Sequence, residues 1–415
     1  MTQPRRLRIA FLTATDPLDQ RSWSGLHYKL GQTLEKHVGD VTYLGPVSLR
    51  YLFALGDRIN KVVAWLTGGK RYHYSISILV SRLYGLIFGA KLQGKHFDLL
   101  FAPAAYTEFA YLYTRIPIVY CADSTLTQLI DYYEGLSNLL PLSKRELRHI
   151  EQRAIRKASL LVYSSQWAAE SARRDFGAKR WQVVVQPFGA NFEQLPSQEQ
   201  VFSRHQKPGC HLLFVGVEWN RKGGRIAVDT LHALRKMGVD AHLTVCGCVP
   251  PPGTDQSHLT VFPFLDKNIP EQAQQLAQLY LQADFFLLPT RAECAAIAFC
   301  EASAFGLPSF TTDTGGVGEF VLEGVNGFRL SLAAEGADYA AAIKRVVDDA
   351  ALYAQLRRTA RQLFEQRLNW DAWGLAMKRV LTSRFLAAPA SARFKRLVAA
   401  RLARKYSFRL SELAE

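Results

Sequence analysis

No stretch of this chain reaches the roughly 18 consecutive apolar residues that a membrane-spanning helix needs. The nearest approach, Tyr74 to Ala90, is interrupted by Arg82. Arg5, Arg6 and Arg8 precede an apolar run from Ile9 to Ala14. That run is too short for a secretory leader and has no small-residue cleavage site, so it reads as a first strand. No two of the six cysteines (Cys121, Cys210, Cys246, Cys248, Cys294, Cys300) have zinc-ligand spacing. They lie in or near apolar runs and read as buried free thiols of a reducing compartment. No Gly-x-Gly-x-x-Gly follows the first strand, and there is no phosphate-binding Gly-Lys-Ser/Thr loop, nucleophile elbow or His-Glu-x-x-His pair. Asp-x-Asp is also missing, so a metal clamp on a diphosphate has no carboxylate pair. Phosphate binding then falls to cationic side chains and backbone amides, and neither a metal nor another cofactor is expected.

What is present suits a large α/β protein. The 415 residues, 48% hydrophobic and 21% charged, can bury more than one core. Short runs apolar on both faces alternate with helical patterns, as in buried parallel sheets. Six strands are expected at Leu7–Ala14, Val41–Leu44, Phe97–Ala102, Ile116–Tyr120, Leu160–Ser164 and Gln182–Gln186. Six more are expected at Leu212–Val215, His242–Cys246, Thr260–Phe264, Phe285–Leu288, Pro308–Thr311 and Gly327–Leu330. Helices are expected over Gly224–Met237, Glu271–Gln282 and Ala340–Asp349, with only helix after Asp349. The polar, aperiodic stretch Gln194–Gly209 reads as a linker. The domains expected are 1–200, 201–369 and a helical, basic tail over 370–415. Two doubly wound sheets facing each other would make a cleft at the strand carboxyl ends, where such folds bind ligands.

The net charge of +15 is unevenly spread: residues 1–200 hold 25 Lys/Arg against 16 Asp/Glu, and residues 385–415 hold 7 against 2. That excess suggests an anionic partner. Arg156-Lys157, Arg173-Arg174 and Lys179-Arg180 belong to no nucleic-acid motif and read as solvated faces, so no nucleic acid is expected. Between Arg50 and Lys95, cations interleave with Tyr51, Phe53, Trp65, Tyr72, Tyr74, Tyr84 and Phe88. Together with a tail bearing Phe394, Leu397, Val398 and Leu402 at helical spacing, this points to an anionic membrane surface. The plainer alternative packs Trp65, Leu79 and Phe88 into the core.

The chemistry concentrates in Phe285–Gly316. A strand ends at Pro289, a polar loop follows, and a helix starts near Ala295. The helix amides and dipole favour a diphosphate. Glu293 precedes that helix and Glu301 lies within it, flanked by apolar residues. Carboxylates beside an anion make sense as acceptors from sugar hydroxyls; the alternative is a solvated helix start with a surface glutamate. Upstream, LLFVGVEWNRKGG (212–224) puts Gly216, Arg221 and Lys222 between a strand and a helix. These cations suit a diphosphate leaving group, or form an ordinary basic turn. In the first half, Trp23-Ser24-Gly25-Leu26-His27 follows the first strand, and Asp123-Ser124 follows the fourth. Here the alternatives are a satisfied loop serine, a helix-capping aspartate and a surface histidine.

The stretch resembles family 4 retaining glycosyltransferases of the GT-B fold, most strongly from Leu212 to Leu330. Glu293 and Glu301, with seven residues between them, fall on that family's glutamate pair, followed by EASAFGLP, TTDTGGVGE and GVNGF. The resemblance implies a two-domain nucleotide-sugar enzyme that transfers to an acceptor hydroxyl with retention, in polysaccharide or glycolipid synthesis. It implies that Glu301 holds the ribose and Glu293 the donor sugar, with the loop Cys294-Ala295-Ala296-Ile297 beside it. Gly25, Gly216, Arg221 and Lys222 belong to the diphosphate, and Ser24, His27, Asp123 and Ser124 to the acceptor side. Catalytic roles fall to Glu293, Asp123, Arg221 and Lys222. Three positions depart from the family: Cys294-Ala295-Ala296 replaces Gly-Phe-Gly, Val217 replaces an arginine, and Ala122 replaces a histidine. The expected partners are a nucleotide-diphosphate sugar and a sugar or lipid-linked acceptor. The expected location is cytoplasmic, peripheral on the inner face of the membrane. The alternatives are a related sugar epimerase or phosphorylase, or an inactive sugar-nucleotide binder.

Overall fold

A computed structural model describes residues 5–203 and 209–386. The chain divides into two compact units, Met1–Gln186 with the stretch from Gly374 onward, and Pro187–Trp373. The basic residues expected to touch a membrane beyond 386 lie outside the described residues.

The first unit holds strands β1 (Leu7–Phe11), β2 (Gly39–Tyr43), β3 (Leu99–Pro103), β4 (Ile118–Ala122), β5 (Leu160–Tyr163) and β6 (Val183–Val185). They form one parallel sheet in the order β2-β1-β3-β4-β5-β6. The helices are α1 (Leu26–His37), α2 (Arg50–Leu66), α3 (Ile78–Leu92), α4 (Tyr106–Phe109), α5 (Leu126–Leu129), α6 (Pro141–Lys157) and α7 (Gln166–Phe176). β3, β4 and β5 are buried along their whole length, as expected for strands covered on both faces. Ala10, Leu100, Tyr120 and Leu161 pack with Phe88 of α3, Ile150 of α6 and Ala168 of α7.

The second unit begins with α8 (Gln198–Phe202). Its strands are β7 (Cys210–Val215), β8 (Ala241–Cys246), β9 (Leu259–Phe262), β10 (Phe285–Leu288), β11 (Ser309–Thr312) and β12 (Gly327–Leu330). The parallel order is β12-β11-β10-β7-β8-β9. Its helices are α9 (Trp219–Lys222), α10 (Gly224–Lys236), α11 (Pro270–Gln282), α12 (Ile297–Ala304), α13 (Gly336–Val347), α14 (Ala350–Gln366) and α15 (Trp370–Phe385), the last crossing the division between the units.

All twelve expected strands form, with ends moved by up to three residues. Apolar runs mark the buried strand, whereas neighbours decide where pairing stops. Within the stretch expected as a linker, the described residues 194–203 are packed in the second unit. Ser197 caps α8, Val201 is fully buried, and Arg357 and Arg361 donate to the carbonyls of Val201 and Pro196 at 2.6 and 2.9 Å. In these residues a polar side chain caps a helix and the backbone carbonyls take arginine partners. The structure also divides the seven aromatics of 50–95. Tyr84 and Phe88 belong to the core, while Trp65 and Tyr51 stay exposed, as does Leu79.

Candidate functional site

In each sheet two crossovers leave in opposite directions from one point, and a crevice opens at the strand carboxyl ends there. In the second unit that point lies between β7 and β10. β7 runs into Gly216, β10 runs into Pro289, and the two segments nearly touch: a Cβ on Gly223 would lie 2.0 Å from the Pro289 carbonyl. Gly223 also has φ +78°, a conformation side chains disfavour. Gly216 has a related reason, since a Cβ there would meet the stem of Lys222 at 2.8 Å.

These close approaches bring the cations to the glutamate loop. The Lys222 ammonium pairs with the Glu293 carboxylate; Glu293 is buried and Lys222 largely so. Arg221 lies 3.6 Å from the same carboxylate oxygen. Its guanidinium grips both oxygens of Glu218 at 2.8 Å and donates to the Ala292 carbonyl at 3.0 Å. That fork holds Glu218 below the usual carboxylate range, the hydrogen bond from Arg221 being the main cause. Arg221 therefore ties two loops together, and Lys222 is the cation nearer the glutamate. The Glu293 carbonyl accepts from the Gly316 amide at 3.0 Å, which ties the turn at Gly315-Gly316 to the same loop.

Glu301 lies within α12 and is almost fully buried. The Lys267 ammonium pairs with its Oε1, and the Tyr280 hydroxyl donates to its Oε2 at 3.0 Å. Burial first, and then the neighbouring carboxylate, push the Tyr280 hydroxyl far up, so it stays a donor. Lys267 also lies 4.8 Å from the centre of the Phe192 ring. The solvated-glutamate alternative is thereby excluded for both carboxylates. α12 starts at Ile297, two residues later than expected, and no side chain caps its N-terminus. Cys294 and Ala296 are buried and Ala295 half-buried beside it.

The first unit repeats the arrangement between β1 and β3. Trp23, Ser24 and Gly25 take φ of 47°, 56° and 81° in succession. For the first two such angles are strained, which in folded proteins often marks a working site. His27 lies in the first turn of α1 and is buried, which removes the surface alternative. Its Nε2 faces the Pro103 carbonyl at 3.3 Å, and Nδ1 faces the hydroxyls of Ser22 and Thr15 at 2.9 and 3.1 Å. The carbonyl needs a donor, so Nε2 carries the proton and Nδ1 accepts. Burial lowers the His27 pKa to about 4, and the ring is neutral near pH 7.

Asp123 accepts from Trp23 Nε1 at 3.3 Å and from the Ser124 hydroxyl at 3.2 Å. It does not cap α5; Thr125 does, in a reciprocal pair with Gln128. The strand-end aspartate thus fastens the strained loop to β4. Glu108 of α4 was missed by sequence reasoning. Burial raises its pKa to about 7, against the opposing hydrogen bonds from its own amide and that of Ala14. Its only sequence signal is its place just after β3.

Residues 209–349 match the family described as Glycosyl transferases group 1. Glycogen synthase of Mycobacterium tuberculosis is 27% identical over 245 residues, covering 57% of each chain. The chain thus spans little more than half the length of that relative. Sucrose-phosphate synthase of Thermosynechococcus elongatus superposes with a TM-score of 0.64 at 16% identity, over 92% of this chain and 100% of that one. HepE of Anabaena, solved in complex with UDP and glucose, gives 0.60 at 16%, over 91% and 100%.

The fold is GT-B.

Within this GT-B chain, sequence reasoning found Glu293, Glu301, Arg221 and Lys222 but not Lys267 or Tyr280. Those two sit 34 and 21 residues from Glu301 in segments with no motif. Only the doubly wound GT-B sheet brings their loops together. The described residues include no helix long and apolar enough to cross a membrane.

Proposed function

We propose that this protein is a glycosyltransferase that moves a sugar from a nucleotide-diphosphate donor to an acceptor hydroxyl, with retention of anomeric configuration. The observation that carries the reading is the pair of buried, lysine-bound carboxylates, Glu293 and Glu301, flanking the uncapped start of α12. An uncapped helix start offers free amides to a diphosphate. Lys222 adds a cation to neutralise charge as the leaving group departs. Glu301, fixed by Tyr280, offers its carboxylate to the ribose hydroxyls, and Glu293 offers its own to the donor sugar. The group 1 match and the UDP and glucose bound by HepE support this reading.

The acceptor hydroxyl attacks from the leaving-group face and passes its proton to the departing phosphate oxygen, so no protein base is needed. His27 and Asp123 belong to the acceptor side and shape the Trp23–Gly25 loop there. The acceptor is a sugar or a lipid-linked sugar, and charge neutralisation requires no metal.

The test is turnover of a panel of nucleotide sugars, first by donor hydrolysis and then with acceptors, the product anomer being read by NMR. A product of the same anomeric configuration as the donor is expected. Inversion would remove the retaining mechanism, and no binding of any nucleotide sugar would remove the whole proposal.

A further inference from the structure

α2 carries apolar residues on its outward side as well as on the side packed against the protein. An ordinary surface helix hides its apolar stripe and shows its polar side. Here the side facing the protein holds Leu52, Phe53, Gly56 and Asn60, with Asp57 at its exposed edge. The Phe53 ring lies 5.9 Å from that of Tyr74. Gly56 is so close that a Cβ would meet the Tyr74 ring at 2.4 Å. The Asp57 carboxylate accepts from the Tyr74 hydroxyl at 2.5 Å, and Asn60 accepts from the Tyr72 amide at 2.8 Å. This anchoring leaves Tyr51, Leu55, Ile59, Val62, Trp65 and Leu66 outside. Their spacing of three and four residues makes one continuous stripe. All six are exposed, Trp65 at 81% and Tyr51 at 77%.

The stripe has a basic border. Arg58 and Lys61 share the outward side, Arg50 lies over the Tyr51 ring at 4.6 Å, and Lys70 follows the helix. Arg58, Lys61 and Lys70 make no ion pair among the described residues. The helix's one acidic residue, Asp57, is exposed but held by the Tyr74 hydroxyl. An apolar face with Trp and Leu, edged by cations, matches a helix lying in the plane of a bilayer surface, with stems among the acyl chains and charges at the headgroups.

We infer that the outward face of α2 docks the protein on an anionic lipid bilayer. A second copy of the chain fits the same face poorly. The stripe is one helix wide and six side chains long, whereas a stable dimer takes about 20 to 30 residues a side. Two such faces would also oppose cation to cation. Lipid phosphates supply the missing negative charge, within a Debye length of the helix. The inference concerns α2 alone and does not depend on which reaction the protein performs.

The experiment is low-salt co-sedimentation of the full chain with phosphatidylcholine vesicles, with and without phosphatidylglycerol. Wild type should bind the anionic vesicles and lose them in high salt. Trp65 emission should shift to the blue on binding, and Trp65→Phe should lose that shift. The double variant Ile59→Asp, Val62→Asp changes exposed positions only, and its thermal melt should match wild type. Its vesicle affinity should fall roughly tenfold or more, from the lost burial of two aliphatic side chains. Arg58→Glu with Lys61→Glu should weaken binding to anionic vesicles selectively. Equal binding by wild type and the Ile59/Val62 variant would overturn the inference. So would a concentration-dependent dimer, seen by light scattering without lipid, that the same variant abolishes.

Discussion

Lys222 and Glu293, 71 residues apart in the chain, form one ion pair whose side chains are only 11% and 6% exposed. Neither charge can fall back on water, so each depends on the other. Removing one partner from a buried pair leaves an uncompensated charge and costs about 3–5 kcal/mol. Glu293→Gln should therefore lower the stability of the second unit by that order, more than a surface charge change does. Replacing both, Lys222→Met with Glu293→Gln, should recover most of it. Urea unfolding of wild type and the two variants measures this, and a Glu293→Gln chain as stable as wild type would contradict the buried pair.

The functional counterpart separates the two cations. Lys222→Ala should slow sugar transfer more than it weakens nucleoside monophosphate binding, because its charge matters most as the diphosphate departs. Arg221 is committed to Glu218 and to the Ala292 carbonyl. Arg221→Ala should therefore reduce both, by loosening the 290–293 loop. Equal effects of the two variants on both measurements would merge their roles.

Glu301→Ala should weaken nucleotide binding by about 1.5–3 kcal/mol, the range for hydrogen bonds to a charged group. It also strands Lys267 and Tyr280, so the thermal melt must be read beside the titration. Lys267→Met separates the effects, since it leaves Glu301 on Tyr280 alone. Unchanged nucleotide affinity in a folded Glu301→Ala protein would remove the ribose assignment.

Transfer activity should survive excess EDTA, because Lys222 and the α12 amides are the groups proposed to balance the diphosphate. A loss that magnesium restores would overturn the metal-free proposal.

Two buried groups set opposing pH slopes on the first unit. His27 titrates near 4 when folded and near 6.5 when unfolded. Below pH 6.5 the unfolded chain takes up a proton that the folded one refuses, and stability falls by up to about 3 kcal/mol towards pH 4. Glu151 of α6 is the converse. It is fully buried, its Oε2 accepts from the Leu126 amide at 2.7 Å, and burial raises its pKa to about 8. The folded state then holds the extra proton, so stability falls as pH rises from 4.5 towards 8. Glu151→Gln should reduce the upper slope to the part that Glu108, raised to about 7, supplies, and leave the lower one, as read by denaturant midpoints across the range. Unchanged slopes would show that neither group titrates as described.

The strands were legible because each depends on its own few residues. A run such as Leu99–Leu100–Phe101 has no polar face to give water, so it is buried wherever the chain leads. The turn between β7 and α10 was legible because the glycines at 216, 223 and 224 mark it in the chain. Glu293 and Glu301 carried a spacing, and spacing is a property of the chain.

Partners are a property of the fold. Nothing near Glu301 in sequence announces Lys267 or Tyr280, and nothing near His27 announces the Pro103 carbonyl that receives its proton, 76 residues away. The sequence by itself determined that two parallel sheets form and which carboxylates and cations end their strands. Tertiary structure alone decided that those carboxylates are lysine-bound, that His27 is neutral and inside, and that one apolar stripe of α2 faces out. The physical reason is that periodicity fixes which residues share a face of an element. Where that face points depends on what lies beneath it, and beneath α2 the Tyr74 ring leaves room for a glycine and an asparagine but not for the stripe.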